Sequence, residues 1–223
     1  MAGKDDVKVL GVVVSPFAIR VRIALNMKGV SYEYMEEDLT NKSELLLSSN
    51  PIHKKVPVLI HGGKPICESL VIVQYVDEVF PGAAVLPSDP YDRAVARFWA
   101  AYVDDKMFPP MVAFLLAVTE EERAAKAEET LAAMAQLEKA FGECSGGKPF
   151  FGGDSIGYVD LALGSNLQWL ETSYQMFGVA LLDAVKTPLL TAWAKRFVEA
   201  DAAKGVVPDT ALAVEFCKKL RAR

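Results

Sequence analysis

Residues 7–29 read VKVLGVVVSPFAIRVRIALNMKG. The apolar, β-branched run at residues 7–14 predicts a buried strand, and Ser15-Pro16 is typical of the first residues of a helix. Apolar residues then recur every four positions from Ile19 to Met27, and Gly29 ends the pattern. The stretch therefore predicts a strand that leads directly into a helix.

The residues that follow predict a further βαβ-type arrangement. Residues 31–36 alternate in the manner of a strand, and a polar loop then runs to Asn50-Pro51. Residues 58–67 predict a hairpin, and Glu68-Ser69 precedes an apolar helix to about Val79. The first third of the chain is thus β-α-β followed by β-β-α.

Turn-forming residues are densest between Pro81 and Pro90, which predicts a linker at residues 83–92. It separates an α/β domain of residues 1–82 from an all-α domain of residues 93–223. Pro109 and Pro110 should break or bend the first helix of the second domain, since they remove two amide donors. The predicted helices there cover residues 93–116, 120–141, 157–177, 188–201 and 208–220.

Composition and charge narrow the function classes. The 223 residues carry 24 Lys plus Arg against 29 Asp plus Glu, so the net charge of −5 gives no drive toward nucleic acid or an anionic membrane. The start of the chain lacks a secretory pattern, and the longest uncharged run contains two prolines and is too short to span a bilayer. Three widely spaced cysteines favour a reducing compartment, the cytoplasm. Two histidines and these cysteines have no metal-ligand spacing.

Ser15 is the first candidate for chemistry. At the junction of strand and helix, its hydroxyl and the neighbouring backbone amides would face an anion above the helix N-terminus. The alternative is that Ser15 only caps the helix that begins at Pro16. A hydrolytic nucleophile is disfavoured, because residues 12–16 read VVVSP and not G-x-S-x-G.

Several motifs in order resemble the plant glutathione transferases of the tau class. They are Ser15-Pro16-Phe17 with Arg20-Val21, Asn41-Lys42-Ser43, residues 50–59 (NPIHKKVPVL) and Ile66-Cys67-Glu68-Ser69. Residues 86–91, 94–99, 151–154 and 193–196 also resemble that class, so the likeness covers nearly the whole chain. It implies a thioredoxin-like N-terminal domain, an all-helical C-terminal domain and a homodimer.

The resemblance also implies the roles of the site residues. Ser15 would stabilise the thiolate of glutathione. Lys42 and Lys55 would reach its glycine end, the Val56 backbone its cysteinyl part, and Glu68 and Ser69 its γ-glutamyl end. Val56-Pro57 would be a cis peptide. Phe17, Arg20 and Pro57 would support these residues, although a surface ion pair is an alternative role for Arg20. The plain alternative for the lysines is solvated loop charge.

A second, apolar site should bind the electrophile. Its candidates are Val12, Val13, Phe17, Phe108, Met111, Val112, Leu115, Trp169, Phe216 and Leu220. About half of them should be plain core residues, because apolar stripes at helical spacing usually are. Many relatives carry bulky aromatic residues beside the serine, whereas this chain has Val12 and Val13.

The function implied is conjugation of the glutathione thiolate to hydrophobic electrophiles, a detoxification reaction, with a peroxidase side activity. Glutathione is then a co-substrate, and no prosthetic group is expected. One alternative is a carrier of glutathione conjugates or apolar ligands without turnover. Another is a thiol-disulfide reductase such as a dehydroascorbate reductase, but that activity would require a cysteine where Ser15 stands.

Overall fold

A computed structural model describes residues 6–222 of the chain. The chain divides into two compact units, and their boundary lies between Val85 and Leu86. The first unit alternates strands and helices, whereas the second is helical. This is the thioredoxin-like α/β part followed by the all-α part that the sequence predicts.

The first unit contains a four-stranded sheet in the order β2-β1-β3-β4. Strand β1 pairs parallel with β2 and antiparallel with β3, and β3 pairs antiparallel with β4. The elements are β1 (Val7–Gly11), α1 (Pro16–Met27), β2 (Glu33–Glu36), α2 (Glu44–Ser49), β3 (Val58–His61), β4 (Lys64–Cys67) and α3 (Ser69–Val79).

Strand β1 is apolar except for Lys8, which is half-exposed and pairs with Glu33 at 3.2 Å, because both faces of the sheet are otherwise covered. On one face Leu10 packs with Val58, Ile60 and Leu46, which α2 contributes. Val9 alternates to the opposite face and is fully buried. There α1 and α3 pack against each other and against the sheet. Residues 9–14 are therefore uncharged and mostly hydrophobic.

A buried ion pair links the end of α1 to α3 in this unit. Lys28 follows α1, and its Nζ lies 2.8 Å from Oδ1 of Asp77 in α3, with only 2% and 12% of the two side chains exposed. The same Asp77 oxygen accepts a hydrogen bond from the backbone amide of Val85, at 2.8 Å. One carboxylate thus holds the end of α1 and the last residue of the unit.

The second unit contains seven α-helices and one π-helical segment within residues 86–222. They are α4 (Pro90–Tyr102), a π-helical segment (Val103–Met107), α5 (Phe108–Leu116), α6 (Glu120–Cys144), α7 (Tyr158–Gly164), α8 (Leu167–Phe177), α9 (Pro188–Glu199) and α10 (Thr210–Arg221). No helix within residues 6–222 combines the length and apolarity required to cross a bilayer.

The helix predicted over residues 93–116 is interrupted where the prolines require it. The wider π-helical turn, Val103–Met107, ends directly before Phe108, and Pro109 and Pro110 stand in the first turn of α5. An amide donor is not needed in the first turn of a helix, so the two prolines are tolerated there.

The helix predicted over residues 157–177 is instead two helices, α7 and α8. The side chains of Ser165 and Asn166 both donate to the carbonyl of Ala162, at 3.1 and 2.8 Å. Such side-chain bonds compete with the backbone hydrogen bonds that would continue a helix. The apolar spacing of residues 157–177 does not indicate this break, although Ser165-Asn166 is a signal for it.

Asp160 organises the start of α7. Its carboxylate is fully buried and accepts hydrogen bonds from the amides of Phe151, Gly152 and Gly157 and from the indole of Trp193, at 2.7 to 2.9 Å. Burial raises the pKa of Asp160 to about 6, while these four donors oppose the rise. The bond to Gly157 is the half of a capping box that a glycine at the cap permits.

Candidate active site

Ser15 caps α1 at the end of a tight turn from β1. Its amide donates to the carbonyl of Val12 at 2.8 Å, and its Oγ accepts from the amide of Ala18 at 3.4 Å. The side chain is half-buried. Among residues 6–222 the hydroxyl proton has no assigned acceptor. Ser15 therefore acts as a cap through its oxygen and retains a donor for a ligand.

Glu36 holds the turn that precedes Ser15. Its Oε1 accepts a hydrogen bond from the amide of Val13 at 3.1 Å. Since β2 lies parallel to β1, with Gly11 opposite Glu36, the carboxylate reaches the turn just beyond the end of β1. Glu36 was not among the predicted site residues, because only strand pairing brings residue 36 to residue 13.

The loop before β3 is organised by Asn50, whose side chain is nearly buried at 4% exposure. Its Nδ2 donates to the carbonyl of Lys55 at 3.0 Å, and its Oδ1 accepts from the amide of His53 at 3.1 Å. The Val56-Pro57 peptide that follows is cis, as the family resemblance implies. Asn50 was not among the predicted site residues, although Asn before Pro is a turn signal.

Lys42 lies across the same loop. Its Nζ donates to the carbonyl of Lys54 at 2.8 Å, and Lys54 itself has a left-handed backbone with φ of 52°. A non-glycine residue in that region needs support from its surroundings. Lys42 thus holds the loop by its own hydrogen bond, while Lys55, two residues from Pro57, is exposed.

Lys42 is itself positioned by the start of α2. The Oγ of Ser43 accepts from the amide of Leu46 at 3.0 Å and donates to Oε1 of Glu37 at 2.6 Å. Glu37 also accepts from the Ser43 amide at 3.2 Å and is buried. The cap of α2 and the buried Glu37 carboxylate therefore fix the residue next to Lys42.

The start of α3 brings Glu68 and Ser69 to the site. Glu68 has a left-handed backbone, with φ of 70°, and its Oε1 lies 3.9 Å from Nε2 of His53. Ser69 is the first residue of α3 and is buried. The α3 N-terminus carries the positive end of the helix dipole, which favours a carboxylate there.

Arg20 connects this region to α1. Its side chain is completely buried, its Nη1 donates to Oγ of Ser69 at 3.4 Å, and its guanidinium lies 5.1 Å from the ring centre of Phe17. The alternative of a surface ion pair for Arg20 is therefore wrong. The apolar spacing of α1 did not indicate that an arginine would lie on its buried side.

A cleft of about 410 Å³ lies in the first unit between Phe17, the loop before β3 and the start of α3; Ser15, Lys42 and Arg20 are not among its lining residues. Six of the predicted site residues line it, together with Asn50 and His53. The lining residues are Phe17, Asn50, His53, Lys55, Val56, Pro57, Glu68 and Ser69. Cationic, anionic and hydroxyl groups thus surround one cleft. An extended ligand that carries both positive and negative groups can therefore be bound there.

The predicted electrophile residues differ in accessibility. Val12, Met111, Leu115 and Trp169 are buried, whereas Val13, Phe17, Phe108, Val112, Phe216 and Leu220 are half-buried. In the second unit Phe108 and Val112 are one turn apart on α5, and Phe216 and Leu220 are one turn apart on α10. The ring of Phe216 meets that of Trp169 edge to face, with centroids 6.1 Å apart.

None of the three cysteines takes the place of Ser15. All are free, and burial raises the pKa of each thiol, Cys67, Cys144 and Cys217. A reactive cysteine needs a lowered pKa, because the thiolate is the nucleophile. Within residues 6–222 no cluster of three or more His, Cys, Asp or Glu could hold a metal ion.

Comparison with protein families identifies the class. Residues 5–78 match the glutathione S-transferase N-terminal domain, and residues 92–201 match the C-terminal domain of the same family. The chain belongs to the glutathione S-transferase family.

Individual relatives place it in the tau class. The chain is 59% identical to a probable glutathione S-transferase, GSTU6, of Oryza sativa subsp. japonica, over 95% of this chain and 92% of the relative. A solved tau-class glutathione S-transferase from mango, Mangifera indica, is 51% identical and superposes with a TM-score of 0.93, covering 96% of this chain and 98% of that one. A rice enzyme solved in complex with glutathione is 38% identical, with a TM-score of 0.90 over 99% and 98% of the two chains.

Proposed function

We propose that this tau-class transferase is of the serine type and that Ser15 stabilises the thiolate of bound glutathione. The observation that carries the proposal is the half-buried Ser15 hydroxyl at the N-terminus of α1, with its proton available to a ligand. A hydrogen-bond donor and a helix N-terminus both favour a negative charge. Each unit by which they lower the thiol pKa corresponds to about 1.4 kcal/mol.

The remaining groups hold the tripeptide in register with Ser15. Ser69 and the α3 N-terminus bind the γ-glutamyl carboxylate, and Glu68 binds the ammonium group. The Val56 backbone pairs with the cysteinyl part, and Lys55 binds the glycine carboxylate. Lys42 supports this loop through the Lys54 carbonyl, and its two other N–H groups can serve the same carboxylate. The rice relative solved in complex with glutathione supports glutathione as the ligand.

The reaction is nucleophilic attack by the glutathione sulfur on an electrophilic carbon. A sulfur–carbon bond forms, and either a leaving group departs with its electron pair or a polarised double bond takes up the electrons and then a proton. Ser15 acts before this step, by keeping the sulfur in its thiolate form. Half-buried apolar side chains of the second unit, Phe108 and Val112 on α5 and Phe216 and Leu220 on α10, bind the electrophile.

The first unit thus serves glutathione, and the second supplies apolar side chains for the electrophile. We propose further that the protein acts in the cytoplasm, which three free cysteines support.

We propose that it is a homodimer. Three apolar side chains of the first unit, Ile52, Val71 and Val79, are 84%, 52% and 45% exposed and could be covered by a second copy of the chain. Light scattering at micromolar concentration tests the dimer, and a monomer mass would contradict it.

The decisive experiment compares the wild type with Ser15→Ala in the conjugation of glutathione to 1-chloro-2,4-dinitrobenzene, with glutathione binding measured on both. Ser15→Ala should bind glutathione and lose about ten- to a thousandfold in turnover, as for the loss of one preorganised donor to an anion. Thr119→Ala is the matched control, since it removes a helix cap of the same kind from α6. Its turnover should stay unchanged.

Two outcomes would contradict the proposal. Unchanged turnover in Ser15→Ala would refute the role of the serine. Glutathione binding without turnover in the wild type would favour a carrier of glutathione conjugates instead. Ser15→Cys tests the reductase alternative from the other side: it should suppress conjugation. If residue 15 faces the sulfur, its thiolate should attack glutathione disulfide, forming a mixed disulfide and releasing one glutathione thiolate.

A further inference from the structure

The C-terminal end of α5 is held by two arginines from other helices. Nη1 of Arg221, the last residue of α10, donates to the carbonyls of Leu115 and Ala117, at 2.7 and 2.9 Å. Nη2 of Arg123 in α6 donates to the Ala117 carbonyl at 3.2 Å. The last carbonyls of a helix have no partner within it and carry the negative end of its dipole, so guanidinium groups are favoured there.

Phe177 completes this arrangement. It is the last residue of α8, and its ring lies 4.3 Å from the guanidinium carbon of Arg123 and 5.3 Å from that of Arg221. The ring also meets Phe114 of α5 edge to face, with centroids 5.5 Å apart. Arg123, Phe177 and Arg221 together form a latch that joins α6, α8 and α10 to the end of α5.

The latch fixes one side of α10 and thereby orients the next side. Cys217, one turn before Arg221, is fully buried, and its Sγ lies 3.8 Å from the carbonyl of Leu115. Cys217 and Arg221 thus make one stripe along α10, directed at α5. Phe216 and Leu220 make the adjacent stripe, half-buried, with Phe216 against Trp169.

We propose that Arg221 is a positioning residue for the electrophile: by fastening α10 to α5 it sets the position of Phe216 and Leu220 relative to Phe108 and Val112. The inference rests on the proposed function, in which these four side chains bind the electrophile. Arg221 lies on α10 in the second unit, whereas the residues proposed to bind glutathione belong to the first. Its loss should therefore weaken binding of the electrophile and leave glutathione binding intact.

Arginine is suited to this task and lysine only partly so. Nη1 of Arg221 donates to the carbonyls of both Leu115 and Ala117, while the planar guanidinium lies near the ring of Phe177. Lysine retains the charge at the end of α5 but lacks the planar group. Arg221→Lys should therefore behave between the wild type and Arg221→Ala.

The test compares Arg221→Ala and Arg221→Lys with Lys219→Ala, which removes an exposed charge from the same last turn of α10. The KM for 1-chloro-2,4-dinitrobenzene at saturating glutathione should rise about fivefold in Arg221→Ala, for loss of two charge-assisted hydrogen bonds at a partly exposed site. Arg221→Lys should recover part of the loss. The KM for glutathione should change less than twofold in every variant.

Hydrogen exchange of the α10 amides gives a readout that does not depend on turnover. Exchange should be faster in Arg221→Ala than in the wild type and unchanged in Lys219→Ala. Unchanged exchange in Arg221→Ala would overturn the latch. Faster exchange with an unchanged KM for the electrophile would overturn the positioning role. A wild type without conjugating activity would refute the proposed function. In that case the exchange measurement would still show whether Arg221 holds α10 in place.

Discussion

Nη1 of Arg20 lies 3.4 Å from Oγ of Ser69, so one fully buried guanidinium joins α1 to the first residue of α3. Ser15 caps α1 and Ser69 is the first residue of α3, and these serines are the residues proposed to bind the sulfur and the γ-glutamyl carboxylate of glutathione. A tripeptide can be held at both points only if their separation is fixed. Arg20 links the two elements that define it.

Arg20→Lys should keep the fold and weaken glutathione binding about five- to tenfold, because an ammonium cannot reproduce the planar contact with Phe17 and the bond to Ser69 together. Calorimetric titration with glutathione measures the effect. Arg22→Lys, on the same helix with its guanidinium over Tyr34, is the control and should bind normally. Normal binding by a folded Arg20→Lys protein would argue against the link.

Asn50→Ala should raise the KM for glutathione about fivefold with kcat within twofold of the wild type. The variant loses both side-chain bonds that order the loop carrying Lys55 and Val56, but it leaves Ser15 in place. Each buried hydrogen bond lost costs about 1 kcal/mol. Steady-state kinetics at varied glutathione check the prediction, with exposed Asn41→Ala as the control. A fall in kcat alone would contradict it.

As pH rises from 4 to 7, the unfolding free energy of the wild type should fall relative to that of Asp160→Asn. The folded pKa of Asp160, about 6, lies above its ordinary value of 3.8. The folded state therefore binds the proton more tightly, and the stability that this gives is lost as pH rises through about 6. The full effect is about 3 kcal/mol at about 1.4 kcal/mol per unit. Urea denaturation at several pH values measures it.

If the unfolding free energies of the wild type and Asp160→Asn changed in parallel with pH, the raised pKa of Asp160 would be contradicted. Asp160→Ala should be less stable than the wild type by about 3 kcal/mol or more at every pH, because three buried amides and the Trp193 indole lose their acceptor.

Gly164→Ala should destabilise the second unit by about 2–4 kcal/mol. A Cβ at residue 164 would collide with the ring of Phe197 in α9, and both lie in a fully packed region. Gly142→Ala is the control, because its Cβ would meet only Leu189, at an ordinary 3.6 Å, on an exposed part of α6. That variant should gain about 0.5–1 kcal/mol from helix propensity. Thermal unfolding of both checks the contrast.

The sequence predicted those parts of the fold that follow from local patterns. The strand and helix of residues 7–29, the hairpin at residues 58–67 and the helical second unit all have regular apolar spacing or turn residues at their ends. The break at Ser165-Asn166 was missed, because it depends on side chains that capture a backbone carbonyl. Apolar spacing contains no information on such competition.

The site residues also differ in whether a local sequence pattern could predict them. The resemblance supplied Lys55, Val56, Glu68 and Ser69, which the structure places along one cleft. Glu36, Asn50 and the burial of Arg20 are consequences of tertiary contact: residue 36 meets residue 13 through strand pairing, and residue 20 meets residue 69 through helix packing. No spacing within one element predicts them.

The Asp77 carboxylate sets where a fragment of the first unit could end. It bonds the ammonium of Lys28 and the amide of Val85. A chain cut after Gly82 would lose the second partner and would leave a mostly buried ion pair open to water at the end of α3. Any truncation or domain exchange with a relative therefore has to retain residues 83–85, so the natural junction for such a chimaera lies after Val85.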